Sequence, residues 1–332
     1  MPGRIICFGE LLLRLTAPRS ERLLQSPHLD VFYGGAEANL AVSLARFGHD
    51  AKMISAVPNN PLGNAILSAL KAQGVDVSCV QTGDGRMGTY YFENGAVTRP
   101  SRIVYDRAAS TFALSGPDAF DWPTLTKDAD WLHLSGITPA VGPGPAYAAL
   151  AAIAAAREAG TKVSFDGNYR EALWKSWGGN GPVILKQILA GSDIAFINER
   201  DISLLLGRSI KNRTEAIALA FEYFPNLQTI ATTLREQDSV TDQKLTGEIF
   251  TRTAHHVSKT HNMPQVTDRI GGGDAFAAGV LHGLIENMPL ASLIEFATAA
   301  SALKHSILGD WNLTTVAEVN DAMTNSRLDV RR

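Results

Sequence analysis

The 332 residues carry 30 Lys and Arg against 33 Asp and Glu, a formal net charge of −3, with 45% of positions hydrophobic and 19% charged. A chain of that length buries a full core, and without a basic surplus to release counterions it is not suited to holding nucleic acid. Its two cysteines, Cys7 and Cys79, stand apart from each other and from any metal-ligand or redox spacing, which excludes a disulfide framework.

The first predicted element is the apolar run Arg4–Phe8, a buried strand stopped by Gly9. The apolar stretch around it is broken by Glu10 and lacks a small-residue cleavage site, so it is not a signal peptide and the expected location is the cytoplasm. Ala38–Phe47 then shows helical spacing closed by Gly48, and a second helix runs over about Gly63–Gln73 to Gly74. Alternation continues through strands at Trp131–Leu134, Lys162–Phe165, Ile194–Ile197 and Thr229–Thr232, with helices at Ala146–Ala159, Ile184–Ala190 and Thr214–Phe221. The uncharged stretch Leu132–Ala156 is interrupted by Pro139, Gly142, Pro143, Gly144 and Pro145, so regular helix is expected only from about Ala146 and no membrane span results. Strand–helix alternation of this kind predicts an α/β fold with a mostly parallel sheet covered on both faces. Two stretches, 12–33 and 86–107, break the rhythm with short strand-like runs and turn residues, and predict a small β lid on a core formed by 1–11, 34–85 and 108–332.

The most informative segment is Asp268-Arg-Ile-Gly-Gly-Gly-Asp274, followed by an apolar helix of small residues. Glycines there let backbone N–H groups turn toward an anion at a helix N-terminus. An acid at the same spot opposes simple anion binding, which points to Asp274 as a proton acceptor during group transfer. By itself the segment reads equally well as an N-cap aspartate after a flexible turn. No G-x-x-x-x-G-K-[ST] is present, and Phe276 stands where a dinucleotide fingerprint needs glycine or alanine. A second glycine-containing junction, Gly34-Gly-Ala-Glu-Ala-Asn39, also leads into a helix and reads as either a ligand-approach site or a hinge.

Together these two segments resemble the two signature regions of the PfkB, or ribokinase-like, carbohydrate kinases. The resemblance runs over nearly the whole chain. It implies a mostly parallel central sheet flanked by helices, a small β-sheet lid that often pairs between subunits, and ATP-dependent phosphorylation of a sugar hydroxyl with Mg2+. Carried over by position, it implies Asp274 as catalytic base and Gly271, Gly272 and Gly273 as the anion hole, where preorganised donors matter most. Asn198-Glu-Arg-Asp201 resembles the family's N-x-x-E motif with a shorter acid last, so Asp201 is expected near the metal through water, or else as a helix cap. Thr232, Thr233 and Arg235 follow a predicted strand where relatives place a nucleotide loop, although the usual glycines are absent; Arg235 is a phosphate contact or a solvated arginine.

Asp166-Gly-Asn-Tyr-Arg170, with Leu173 and Trp174, resembles the run found in 2-keto-3-deoxygluconate kinases and some fructokinases, and Tyr105-Asp-Arg107 with Gly309-Asp310-Trp311-Asn312 favours the former. That substrate bears a carboxylate, which suits the guanidinium forks of Arg107 and Arg170. The resemblance further implies Gly34, Gly35, Ala36, Glu37, Ala38, Asn39, Tyr90, Tyr105, Ile137, Asn168 and Asp310 around the sugar; for the tyrosines lid packing, and for Asp310 a turn, is the alternative. His255, His256 and His261 have no carboxylate partner at ligand spacing and are expected to be structural. The expected reaction is therefore phosphorylation of the C6 hydroxyl of 2-keto-3-deoxygluconate. Fructose or 2-keto-3-deoxygalactonate as substrate, a catalytically silent sugar-binding protein, and a dehydrogenase are the rivals.

Overall fold

The structure, a computed structural model, describes residues 2–324. In chain order its elements are β1 (Arg4–Phe8), β2 (Leu12–Thr16), β3 (Asp30–Gly34), α1 (Ala36–Arg46), β4 (Asp50–Pro58), α2 (Pro61–Ala72), β5 (Asp76–Gly83), β6 (Gly88–Glu93), β7 (Arg102–Asp106), α3 (Trp122–Lys127), β8 (Trp131–Ser135), α4 (Pro143–Ala159) and β9 (Lys162–Asp166). They continue as α5 (Glu171–Trp177), α6 (Gly181–Ala190), β10 (Ile194–Phe196), α7 (Glu199–Leu206), α8 (Arg213–Tyr223), β11 (Thr229–Gln237), β12 (Gln243–Thr251), β13 (His255–Val257), β14 (His261–Met263), α9 (Gly272–Ile285), α10 (Leu290–Lys304) and α11 (Val316–Thr324).

The large sheet runs β13-β12-β11-β10-β9-β8-β1-β4-β5, with β14 beside β12. It is parallel from β11 to β5 and turns antiparallel at β12, β13 and β14. Central strands such as β1 are apolar at nearly every position because both faces are covered. The pleat divides β1 cleanly: Ile5 and Cys7 enter a core shared with α1, α9 and α10, while Ile6 and Phe8 enter another shared with α4, α6, α7 and α8. Burial, followed by the nearby charge of Glu37, pushes the Cys7 thiol far up, so it stays an unionised core residue.

The second sheet, order β3-β2-β6-β7, is the lid. The parallel pairing of β2 with β6, Arg14 opposite Tyr90 and Thr16 opposite Phe92, joins the two inserted stretches, while Tyr90 with Tyr105 and Phe92 with Ile103 pair β6 to β7 within the second. Leu12, Tyr90 and Phe92 form its inner apolar patch, against Tyr105 and Ile270. Only Gly35 separates β3 from α1, so the lid feeds directly into a helix N-terminus at the core.

Several elements extend beyond their sequence expectation, α4 and β11 among them. Helix α4 begins at Pro143, three residues before Ala146, because Pro143 and Pro145 lie in a first turn whose N–H groups have no intrahelical partner to lose. Strand β11 does not end at Thr232 but continues to Gln237, since β12 folds back and pairs with it residue for residue. Thr232–Arg235 therefore belong to a hairpin strand rather than a loop.

Candidate active site

Helices α1 and α9 both begin where the carboxyl ends of the parallel strands meet the lid, the usual place for a ligand in an open α/β sheet. Each of the three glycines opening α9 answers a different constraint. Gly271 is the N-cap in the left-handed region (φ 82°), and a Cβ there would fall 1.9 Å from the Asp310 carbonyl oxygen. At Gly272 a Cβ would meet His305 Cε1 at 2.4 Å, whereas at Gly273 it would point into open space. The first turn of α9 is thus closed behind and open in front, at Gly273, where an anion can reach its N–H groups.

Asp274 sits in that turn and accepts a 2.7 Å hydrogen bond from Asn39 Nδ2 on α1. Burial pushes its carboxyl well above the usual range; the Asn39 bond pulls the other way, and the charges of Asp166, Glu37 and Asp310 push it up further. A carboxylate so destabilised as an anion is a willing proton acceptor once ionised.

In front of Gly273 lies a cleft of about 290 Å³ lined by Asp166, Asn168, Arg170, Asn198, Asp201, Thr232, Thr233 and Gly273, among others. Asp166, at the end of β9, is pushed up to about 7 by burial and then by Asp201, with Arg170 opposing. Asp201 is also raised, by burial, and of the two roles open to it in the sequence the structure shows the helix cap. Its Oδ2 accepts Asn198 N–H at 2.9 Å while the Asn198 side chain accepts Arg200 and Asp201 N–H, a capping box for α7. The same residue lines the cleft. Two buried carboxylates lining one cleft are hard oxygen donors, so the residues present fit a hydrated Mg2+.

Arg235 lies apart from this wall. It stands half-buried on β11, outside the residues lining the cleft, and its guanidinium is lowered to about 10 by burial and then by the repulsion of Arg269. Arg170 is the arginine that does line the cleft, beside Asn168, whose φ is 29°. Both were expected around the sugar, yet they share the wall of Asn198, Asp201 and Thr232.

On the lid side, Gly34 is required by space: a Cβ would come within 2.3 Å of Asp310 Oδ2. Gly35 (φ 129°) caps α1. Tyr90 and Asp310 are turned to each other, with Tyr90 Oη donating to Asp310 Oδ2 at 2.5 Å and Arg14 Nη1 donating to Oδ1 at 2.9 Å, all three buried. Arg107 is buried as well, and its Nε donates to Glu10 Oε2 at 2.6 Å while Ser110 Oγ donates to Glu10 Oε1. The free two-donor fork expected of Arg107 is therefore half occupied, leaving the Nη edge. Tyr105 and Ile137 are partly buried and packed on apolar clusters, and Ala36 is partly exposed at the start of α1.

Two residues expected around the sugar have side chains engaged within the core. Glu37 is buried, with Oε1 accepting Ser135 N–H at 2.8 Å and Thr138 Oγ1–H at 2.7 Å, so it ties α1 to the end of β8. Ala38 is wholly within the core shared by α1 and α9. Asp166, Glu10 and Arg14 were not singled out from the sequence as site residues. The one signal for the last two is a charge inside an apolar strand pattern, Arg14 falling on the same inward face as Leu12.

Comparison with known proteins gives a consistent picture. The pfkB family carbohydrate kinase model matches residues 3–310. The chain is 30% identical to the 2-dehydro-3-deoxygalactonokinase of Haloferax volcanii over the full length of both, and 28% identical to the 2-dehydro-3-deoxygluconokinase of Thermoproteus tenax over 92% of this chain and 89% of that one. The crystal structure of 2-dehydro-3-deoxygluconokinase from Thermotoga maritima superposes with a TM-score of 0.92 at 35% identity, covering 97% of this chain and 100% of that one. With the paired helix N-termini, the glycine turn and the lid in the arrangement described, this chain belongs to the pfkB family of carbohydrate kinases.

Proposed function

We propose that the protein transfers the γ-phosphoryl group of ATP to the C6 hydroxyl of 2-keto-3-deoxygluconate, with Asp274 as the base. The observation that carries this is the placement of Asp274 within the open turn of Gly271–Gly273 and its orientation by Asn39. The sugar oxygen attacks phosphorus, the bond to the ADP oxygen breaks, and the hydroxyl proton passes to Asp274 Oδ. The N–H groups of the α9 first turn, open on the Gly273 side, face the charge that develops on the phosphoryl oxygens. Asn198, Thr232 and Thr233 line the cleft leading to this point and form the nucleotide side. Asp201 and Asp166 would hold Mg2+, which when bound neutralises phosphate charge. The lid excludes water from a nucleotide otherwise open to hydrolysis.

The acidic substrate is favoured by the Nη edge of Arg107 beneath the lid and by Arg170 on the core wall, with Gly34, Asn39, Tyr90, Tyr105, Ile137 and Asp310 between lid and core. The 2-keto-3-deoxygalactonate reading has support of its own, since the full-length relative from H. volcanii carries that name. A coupled ADP-release screen over sugars and sugar acids decides: the gluconate epimer is expected to give the highest kcat/KM. A preference for the galactonate epimer reassigns the substrate, and a preference for fructose removes the carboxylate clamp.

A further inference from the structure

The lid and the glycine turn are joined by a buried cluster of four charges. Arg14, on lid strand β2, is fully buried, and its Nη1 lies 2.8 Å from Asp268 Oδ2 and 2.9 Å from Asp310 Oδ1. Its Nε donates to Thr16 at 2.6 Å, and its guanidinium lies over the Phe92 ring at 4.5 Å and near Phe32 at 5.2 Å. Lys304, also fully buried, donates from Nζ to Ile307 O at 3.0 Å, and its Cε comes within 3.2 Å of where a Gly271 Cβ would stand. Two cations thus face two anions in a site closed to water.

Each carboxylate that Arg14 bridges shapes one side of the turn. Asp268 Oδ1 accepts Ile270 N–H at 3.0 Å and Oδ2 accepts Gly309 N–H at 3.0 Å, so it holds the chain entering Gly271. The Asp310 carbonyl oxygen lies against the Cα of Gly271, and its carboxylate is bound by Tyr90 of lid strand β6. Arg14 Nη2 is buried and donates to no protein group among the described residues. Removing the arginine would leave two buried carboxylates without the cation they share, held only by the Ile270 and Gly309 N–H groups and by Tyr90, and would loosen the turn they brace.

We infer that Arg14 is a positioning residue that transmits the docked state of the lid to the N–H groups of the glycine turn, so that they are held in place only while β2 is seated. This rests on the reading of that turn as the anion hole. Its consequence is coupling: ATP is aligned for transfer only beneath a seated lid, and phosphoryl loss to water is suppressed otherwise.

The test uses the whole protein with Arg14→Met and Arg14→Lys, the second retaining a buried cation so that folding is preserved. Hydrogen exchange is read at the amides of residues 270–274 against those of β9, alongside the ratio of ADP to sugar phosphate formed. Both variants are expected to lose protection at the turn while β9 keeps it, to lower transfer kcat by about 10²-fold through misplacement of the donors with a nearly unchanged KM for ATP, and to form ADP and sugar phosphate one to one, since the same donors are lost to transfer to water. Unchanged turn protection in Arg14→Lys overturns the inference, as does ADP released in excess of sugar phosphate, and so does protection lost equally in β9, which marks a merely structural role. Full turnover in Asp274→Asn would sink the base assignment alone and leave the exchange result standing.

Discussion

Asn39 Nδ2 and Asp274 Oδ2, 235 residues apart in sequence, meet at 2.7 Å, each on the first turn of its own helix. That single bond orients the carboxylate and is the main influence opposing its raised pKa. Removing it has a signed consequence. Asn39→Ala should move the acid limb of the kcat/KM profile to higher pH, because the ionised base loses its donor while burial and neighbouring carboxylates keep favouring the neutral form. An unmoved limb in a folded variant would show that Asn39 does not tune the base.

Asp274→Asn keeps the size of the side chain and its place in α9 but offers no proton acceptor. Turnover should fall by about 10²-fold or more, with nucleotide affinity largely kept. Steady-state kinetics with an isothermal binding measurement checks this, and turnover within a few-fold of the parent rejects the assignment.

Gly273 is the one glycine of the turn whose Cβ direction is empty, so Gly273→Val should fold normally yet place two methyl groups where the phosphate approaches. A fall in kcat/KM for ATP with a melting temperature close to the parent's is the expected pair of results. Unaltered kinetics would take the anion hole away from this turn.

Substrate selectivity is best tested with Arg107→Lys. Alanine would orphan the buried Glu10, costing on the order of 3–5 kcal/mol, and would confuse specificity with stability. Lysine keeps the ion pair and removes the fork, so kcat/KM for the sugar acid should drop roughly 10-fold, in line with the loss of one charge-assisted hydrogen bond of about 1.5–3 kcal/mol. Neutral sugars should be unaffected; equal loss on both classes refutes the clamp.

Asp166 makes a prediction about stability. Its folded pKa of about 7 stands above its unfolded value near 3.8, so the folded state binds the extra proton between those limits and stability declines as pH rises through that window. Asp166→Asn should flatten this decline and raise the melting temperature at pH 8 relative to the parent, with little difference at pH 4. Denaturation curves across pH 4–8 measure it, and parallel profiles for the two proteins would contradict it.

Much of the fold was legible because its signals are local. Ile5–Phe8 is apolar throughout since both faces of a central parallel strand are covered, and the breaks in alternation at 12–33 and 86–107 coincide with the strands of the lid. Boundaries slipped where a neighbour decides them: β11 runs past Thr232 only because β12 pairs with it, which no property of Thr232–Arg235 announces.

For the site, the sequence by itself determined the glycine turn and its acid, since a residue that must lack a Cβ and a carboxylate at a helix start are chemical requirements visible one residue at a time. Only the tertiary structure decided which polar groups are already engaged. Glu37 and Asn39 are two residues apart on one helix, yet the first is tied to Ser135 and Thr138 and the second to Asp274. Successive helical positions point in different directions, and the partner each one meets comes from a distant segment of chain. The Arg14–Asp268–Asp310 cluster is the same case at greater range: its charges are scattered over nearly 300 positions and acquire a common purpose only when burial forces opposite charges together.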